Sequence, residues 1–185
     1  MPVATPAAAL GSPCPDFVLP DVFGEVRRRD DVCGGRANLV VFFCNHCPYA
    51  QAVEDRLIAL QRELGPQGLA TTLICANDPA DYPDDAPDRL RARAEQKAYP
   101  FPSLIDASQD VARAFDAACT PDFFLFDAGR TLVYRGRLDD NWKRPAQVTR
   151  RELHDAIVAV LAGRPVEGPQ HPSLGCSIKW RRADV

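Results

Sequence analysis

A chain of 185 residues with a formal net charge of −3 is long enough for one domain with its own core, and it lacks the basic excess that nucleic acid or an anionic membrane surface attracts. No stretch approaches the ~20 consecutive apolar residues of a membrane span, and Met1 to Leu10 has neither the basic start nor the apolar run of a secretory signal, so the cytoplasm is the expected compartment. Cys14, Cys33, Cys44, Cys47, Cys75, Cys119 and Cys176 make an odd count in a chain too long for a disulfide-stapled small domain, so a close pair among them points to catalysis or metal binding.

Residues 1–15, rich in Ala and Pro, read as an N-terminal extension. Asp16 to Pro20 reads as a short extended piece, and Asp21 to Gly24 as a turn. Asn38 to Phe43 is a continuous apolar run of the length and β-branched content of a buried central strand. The period then changes: Ala50, Val53, Leu57, Leu60 and Leu64 follow helical spacing until Gly65-Pro66 stops them. Leu69 to Ala76 predicts a second buried strand, and Asp78 to Ala86 an acidic, Pro-rich loop.

Pro87 with Asp88 opens a helix running to about Ala98, since proline suits the first turn and an acid there complements the helix dipole. Ser103 to Ile105 predicts a short strand, and Ser108 to Phe115 a brief helix. Phe123–Phe126 and Thr131–Tyr134 flank Asp127-Ala128-Gly129-Arg130, a hairpin signal. Thr149 with Glu152 predicts a capping box for a helix to Leu161. Residues 164–185, with prolines at 165, 169 and 172, read as an extended strap rather than a domain. Parallel strand–helix–strand units followed by an antiparallel hairpin imply a single α/β domain over 1–185, a central mixed sheet with helices on both faces.

The chemistry concentrates at Cys44-Asn45-His46-Cys47, where the first buried strand hands over to the amphipathic helix. At that junction two cysteines three residues apart can share one face of the first turn, and the helix N-terminus favours thiolate over thiol. Cys44 is then expected as the exposed attacker and Cys47 as the buried resolver, with a protonated His46 further stabilising the thiolate. The competing reading is half of a zinc site. Tetrahedral zinc wants four ligands, no second CxxC exists, and His46, His154 and His171 show no ligand spacing, so neither metal nor cofactor is expected. Asp78, Asp81, Asp84, Asp85 and Asp88 lack calcium-loop spacing and read as a solvated loop beside the active face.

Four segments carry a resemblance: Phe43-Cys44-Asn45-His46-Cys47-Pro48-Tyr49, Cys119-Thr120-Pro121-Asp122-Phe123, Tyr134-Arg135-Gly136-Arg137-Leu138-Asp139-Asp140 and Gly175-Cys176-Ser177-Ile178-Lys179-Trp180. From about Gly11 to Trp180 the chain resembles the thioredoxin-like superfamily, and within it the redoxin group of alkyl hydroperoxide reductase/thiol-specific antioxidant type, in a peroxiredoxin-like subfamily with a CxxC motif. The resemblance implies the thioredoxin fold, and a cis bond before Pro121 packed against Cys44 and Cys47, with Thr120 offering main-chain groups to a substrate. It implies thiol–disulfide exchange on protein or small-molecule thiols and disulfides.

A thiol-dependent peroxidase acting on hydroperoxides is the alternative. The family's Pro-x-x-x-Thr-x-x-Cys frame, set on Cys47, puts Val40 at its Pro and Cys44 at its Thr, which favours the dithiol reading. A metal-binding or redox-sensing module is a third possibility. Adjacent to Thr120, Cys119 could pair with the tail's Cys176 as a second redox couple. Cys75 is expected to be buried and inert, and Cys14 and Cys33 show no partner.

Overall fold

The computed structural model describes residues 2–7 and 9–181. Its main sheet has five strands in the order β6-β5-β4-β8-β9: β4 (Ala37–Phe42), β5 (Leu69–Cys75), β6 (Ser103–Ile105), β8 (Asp122–Asp127) and β9 (Leu132–Gly136). The apolar run becomes β4, buried at every position and placed centrally between parallel β5 and antiparallel β8. A strand covered on both faces has no solvated side, which is why its sequence shows no alternation. Leu39 and Val41 join the cluster with the buried stripe of helix α2 (Pro48–Leu64) and with Leu153 and Ile157 of helix α5 (Glu152–Leu161). Val40 and Phe42 face the other way, against Val111 and Ala112 of α4 (Asp110–Ala114) and against Phe115. The sheet is therefore mixed and flanked by helices on both faces, as expected.

α3 (Pro87–Lys97) is held to α2 by a buried charge. Glu54 accepts from Arg93 Nε at 2.9 Å, from Arg93 Nη2 at 2.5 Å and from the Tyr99 hydroxyl at 2.5 Å. A carboxylate with this many donors can sit inside a helix's apolar stripe; an unpaired one could not.

Three departures from the sequence reading have local causes. The capping box at Thr149 does not form. The N-cap is Arg151, because Thr149 N–H and Oγ1 both bind Asp140, and Glu152 accepts from Arg137. The 164–185 strap contains a strand, β10 (Leu174–Ser177), lying antiparallel between β1 (Pro2–Ala4) of the N-terminal extension and β7 (Cys119–Thr120). Strands this short leave no periodicity to read. Residues 182–185 of the strap lie outside the described residues. Near Asp16–Gly24 the extended piece is β2 (Val18–Pro20), paired with β3 (Val26–Arg28), which leads into a single-turn α1 (Arg29–Val32). Among the described residues no helix is long and apolar enough to cross a membrane.

One buried ion pair anchors the loop carrying Thr120-Pro121. The Arg135 guanidinium, itself almost inaccessible, donates to Asp122 (2.9 and 3.3 Å) and to the Asp116 carbonyl (2.7 Å). Asp122 in turn accepts from the Ala118 N–H at 3.1 Å. Burial pushes the Asp122 carboxyl up, and Arg135 opposes that push. Arg135→Leu strands a buried carboxylate and is expected to cost about 3–5 kcal/mol in urea unfolding at pH 7. The double change Arg135→Leu, Asp122→Leu is expected to recover most of that loss, and equal losses in single and double variants would contradict the pairing.

Candidate active site

Strand β4 ends at Phe42 in the middle of the sheet, and Phe42 stands in register with Asp122, next to Pro121. The sheet thus delivers the Phe43–Cys47 turn and the Thr120-Pro121 turn to one place. The Thr120–Pro121 bond is cis. Pro48 occupies the first position of α2, where no intrahelical N–H partner is lost, and Cys47 is the N-cap. Cys44 therefore precedes the helix. The expected arrangement, both cysteines within the first helical turn, is corrected to one cysteine in the turn and one capping the helix.

Thr120 touches both sulfurs. Cys44 Sγ lies 3.1 Å from Thr120 Oγ1, and the Cys47 thiol donates to the Thr120 carbonyl at 2.9 Å. Both cysteines are free thiols and fully buried, and each sulfur acts on the ionisation of the other. Cys44 is thus no exposed attacker. Burial, then the neighbouring Cys47 sulfur, then the Asp85 carboxylate all push the Cys44 thiol well up.

Cys47 is the member drawn down. The Cys44 thiol is the main cause; burial opposes it, and the Cys176 thiol, the Ala50 N–H and the Thr120 hydroxyl add to it. The Ala50 N–H makes no formal cap bond to Cys47, but it stands close enough to favour the charge. Ionisation gives up one donated bond to a carbonyl and gains several donors, so the thiolate belongs on the sulfur at the helix end.

Asp85 belongs to this site, and the sequence reading missed it. The expected solvated loop holds for Asp84 and Asp88, but Asp85 is buried. Its Oδ1 accepts the N–H groups of Asn45 (2.7 Å) and His46 (3.2 Å). Its Oδ2 accepts from Asn77 Nδ2 (2.8 Å) and lies 2.6 Å from His46 Nδ1. Burial would raise its carboxyl; these donors outweigh burial and hold it below the ordinary range. Nothing in the spacing of five acids singles out one of them. The available signal is topological, since loops after neighbouring parallel strands meet at the same sheet edge.

His46 is consequently fixed rather than free. Its ring packs on Tyr82 at 4.5 Å between centroids, and Nδ1, bound to Asp85, is 3.7 Å from Cys44 Sγ. Cys44, His46 and Asp85 offer one metal-ligating atom each, all within 4.8 Å of one another. Two ligands at ~2.0–2.1 Å from a tetrahedral ion stand about 3.3 Å apart. The 2.6 Å between His46 and Asp85 is instead the length of a charge-assisted hydrogen bond.

The remaining cysteines sort differently from expectation. Cys176 stands opposite Thr120 and Cys119 opposite Ser177, so the two side chains lie on opposite faces of the β7–β10 pair. The Cys119 thiol reaches the Pro121 carbonyl at 3.5 Å, whereas Cys176 packs against the cluster holding Cys44 and Cys47; the structure does not bring 119 and 176 together as a pair. Cys14 and Cys33, which showed no partner in the sequence, are buried in the same core cluster, and each acts on the other's ionisation. Cys75 is buried as expected, and burial pushes its thiol up to about 12.

A cavity of about 530 Å³ lies between α5 and residues 164–171 and is lined by none of the cysteines. A smaller one, about 170 Å³, is lined by Pro121, Tyr49, Trp142 and Ser173, beside the cis peptide.

A five-stranded mixed sheet with a cysteine pair at the first β–α junction, facing a cis-proline turn, defines a thioredoxin-fold protein. The chain belongs to the AhpC/TSA family, which matches residues 10–135. It is similar along its whole length to an uncharacterized conserved protein from Geobacillus kaustophilus (42% identity, 100% of this chain and 98% of that one, TM-score 0.93). A hypothetical protein from Sinorhizobium meliloti 1021 is similar at 40% identity, over 97% of this chain and 99% of that one, with a TM-score of 0.91. The thioredoxin domain of a thiol-disulfide oxidoreductase from Bacteroides vulgatus shares the fold at 17% identity, 70% and 89% coverage and a TM-score of 0.58. No curated protein matches the chain.

The Asp85 carboxyl is lowered in the folded chain, so its stabilising effect is full above the ordinary carboxylate pKa near 4 and fades as pH falls below it. Asp85→Asn is expected to lower stability by about 2 kcal/mol at pH 7, with the gap to wild type narrowing below pH 4. Urea titrations at pH 7 and pH 3.5 check this; a gap independent of pH would show that the carboxylate's charge has no part in it.

Proposed function

We propose that the chain is a thiol–disulfide oxidoreductase in which Cys44 and Cys47 cycle between dithiol and disulfide. The family and the fold support thiol-based redox chemistry in general. One observation carries the finer reading: two free sulfurs at a helix N-terminus, both held by Thr120. The Cys47 thiolate attacks one sulfur of a disulfide presented to it at the site, and the other sulfur leaves as a thiolate that takes up a proton. Cys44 then loses its proton and attacks Cys47 Sγ, releasing the second substrate thiol and leaving the Cys44–Cys47 disulfide. Two electrons pass to the substrate. His46, fixed by Asp85, lies beside Cys44, whose proton must leave in the second step.

Membership of the AhpC/TSA family favours a second reading, hydroperoxide reduction. There the Cys47 thiolate would take the terminal peroxide oxygen, giving an alcohol and a sulfenic acid, and Cys44 would displace water to close the same disulfide. Val40 and Cys44 occupy the family frame's Pro and Thr positions, which weighs against efficient peroxide orientation.

Equilibration in glutathione or dithiothreitol redox buffers, followed by acid quench, alkylation and mass mapping, is expected to show one disulfide joining 44 and 47. It should be lost in Cys44→Ser and in Cys47→Ser. Insulin reduction above the level of Cys47→Ser supports the first reading, and hydroperoxide consumption without insulin reduction supports the second. Absence of the 44–47 disulfide at every potential would overturn both.

A further inference from the structure

Neither sulfur of the proposed dithiol reaches solvent: Cys44 and Cys47 are both at 0% exposure. The backbone of Thr120, which the resemblance offers to an extended substrate, is already taken. β10 lies antiparallel on β7 with Cys176 in register with Thr120. The fit is close: a Cβ on Gly175 would stand 2.2 Å from the Thr120 carbonyl oxygen and 3.1 Å from Pro121 N, so only glycine lets the strap come this near. The chain's own tail thus occupies the position of a bound peptide, and the residue it places opposite Thr120 is a cysteine.

Unlike the other two, Cys176 is half-buried rather than closed off. It packs against the cluster that holds Cys44 and Cys47 and stands opposite Thr120, whose carbonyl accepts from the Cys47 thiol, so Cys47 has a cysteine on each side.

We propose that Cys176 is the port through which external thiols exchange electrons with the buried dithiol, by way of a Cys47–Cys176 disulfide. The proposal rests on the dithiol reading above and adds the route. Starting from the Cys44–Cys47 disulfide, Cys176 loses its proton and its thiolate attacks Cys47 Sγ. The 44–47 bond breaks, the 47–176 bond forms, and Cys44 leaves as a thiolate that takes up a proton. No electrons are gained or lost in this exchange.

An external thiol, small-molecule or protein, then attacks the accessible sulfur of Cys176 as its thiolate. Cys47 leaves as the thiolate that its donors already favour, and a mixed disulfide remains on Cys176. A second external thiol displaces it. The sum is two thiols oxidised to one disulfide and the protein reduced; the reverse sequence oxidises the protein. Lys179, with Nζ 3.3 Å from Ser177 Oγ, puts a positive charge near this port and favours the attacking or departing thiolate.

Three measurements on the full chain test this. Cys44→Ser oxidised with one equivalent of diamide is expected to give an intramolecular 47–176 linkage on mass mapping; intermolecular links alone would overturn the proposal. Reduction of the oxidised wild type by glutathione, followed by stopped flow, is expected to be at least tenfold faster than that of Cys176→Ser and of Cys176→Ala, both first checked for the 44–47 disulfide. Equal rates would overturn the port while leaving the dithiol standing. In the reduced wild type, iodoacetamide is expected to label Cys176 ahead of Cys44 and Cys47, and the opposite order would also overturn it. Should wild type itself form no 44–47 disulfide, it is the parent reading that fails.

Discussion

The site hangs on one residue, Thr120. Its hydroxyl meets Cys44, its carbonyl takes the Cys47 thiol, and its backbone pairs with the strand bearing Cys176. Three sulfurs that arrive from a turn, a helix cap and a tail 130 residues downstream are gathered on a single amino acid. That residue is held in turn by the Arg135–Asp122 pair beneath its loop, so a buried ion pair on one face of the sheet sets the sulfur geometry on the other. Desolvating such a pair costs nearly what its attraction returns. Its value lies in fixing where the loop stands more than in holding the chain together.

The electrostatics of the dithiol follow from the same packing. Two buried thiols in contact cannot both be charged, because the second negative charge would have neither solvent nor a partner. The asymmetry is set by what surrounds each one. A helix end, two thiols and a hydroxyl favour charge on Cys47, whereas the Asp85 carboxylate and a second buried thiol, Cys75, disfavour it on Cys44. The sequence argument placed the nucleophile by proximity to the strand end. The donors gathered at the helix cap favour the charge on Cys47 instead.

Much of this was legible beforehand, for identifiable reasons. The apolar run at 38–43, the helical stripe from Ala50 to Leu64 and the hairpin around Gly129 are signals written within a few neighbouring residues, and each became the expected element. The cis peptide before Pro121 also stood as the resemblance implied. What escaped was whatever depends on distant partners. Asp85 looked like its acidic neighbours until Asn45, His46 and Asn77 closed around it. Thr149 and Glu152 have the spacing of a cap, but Asp140 and Arg137 outcompete the helix for them. The Cys176–Cys47 and Cys14–Cys33 contacts join positions whose separation along the chain carries no information about distance.

The pairing of β1 with β10 has a practical side. Pro2 sits in register with Cys176, and Thr5 is bonded through its N–H and its hydroxyl to Ser173 in the same strap. β1 is therefore the outer neighbour of a strand that packs onto the sulfur cluster, and whatever loosens β1 also loosens the strand that presents Cys176. Activity would then change for reasons of architecture, with the chemistry itself unchanged.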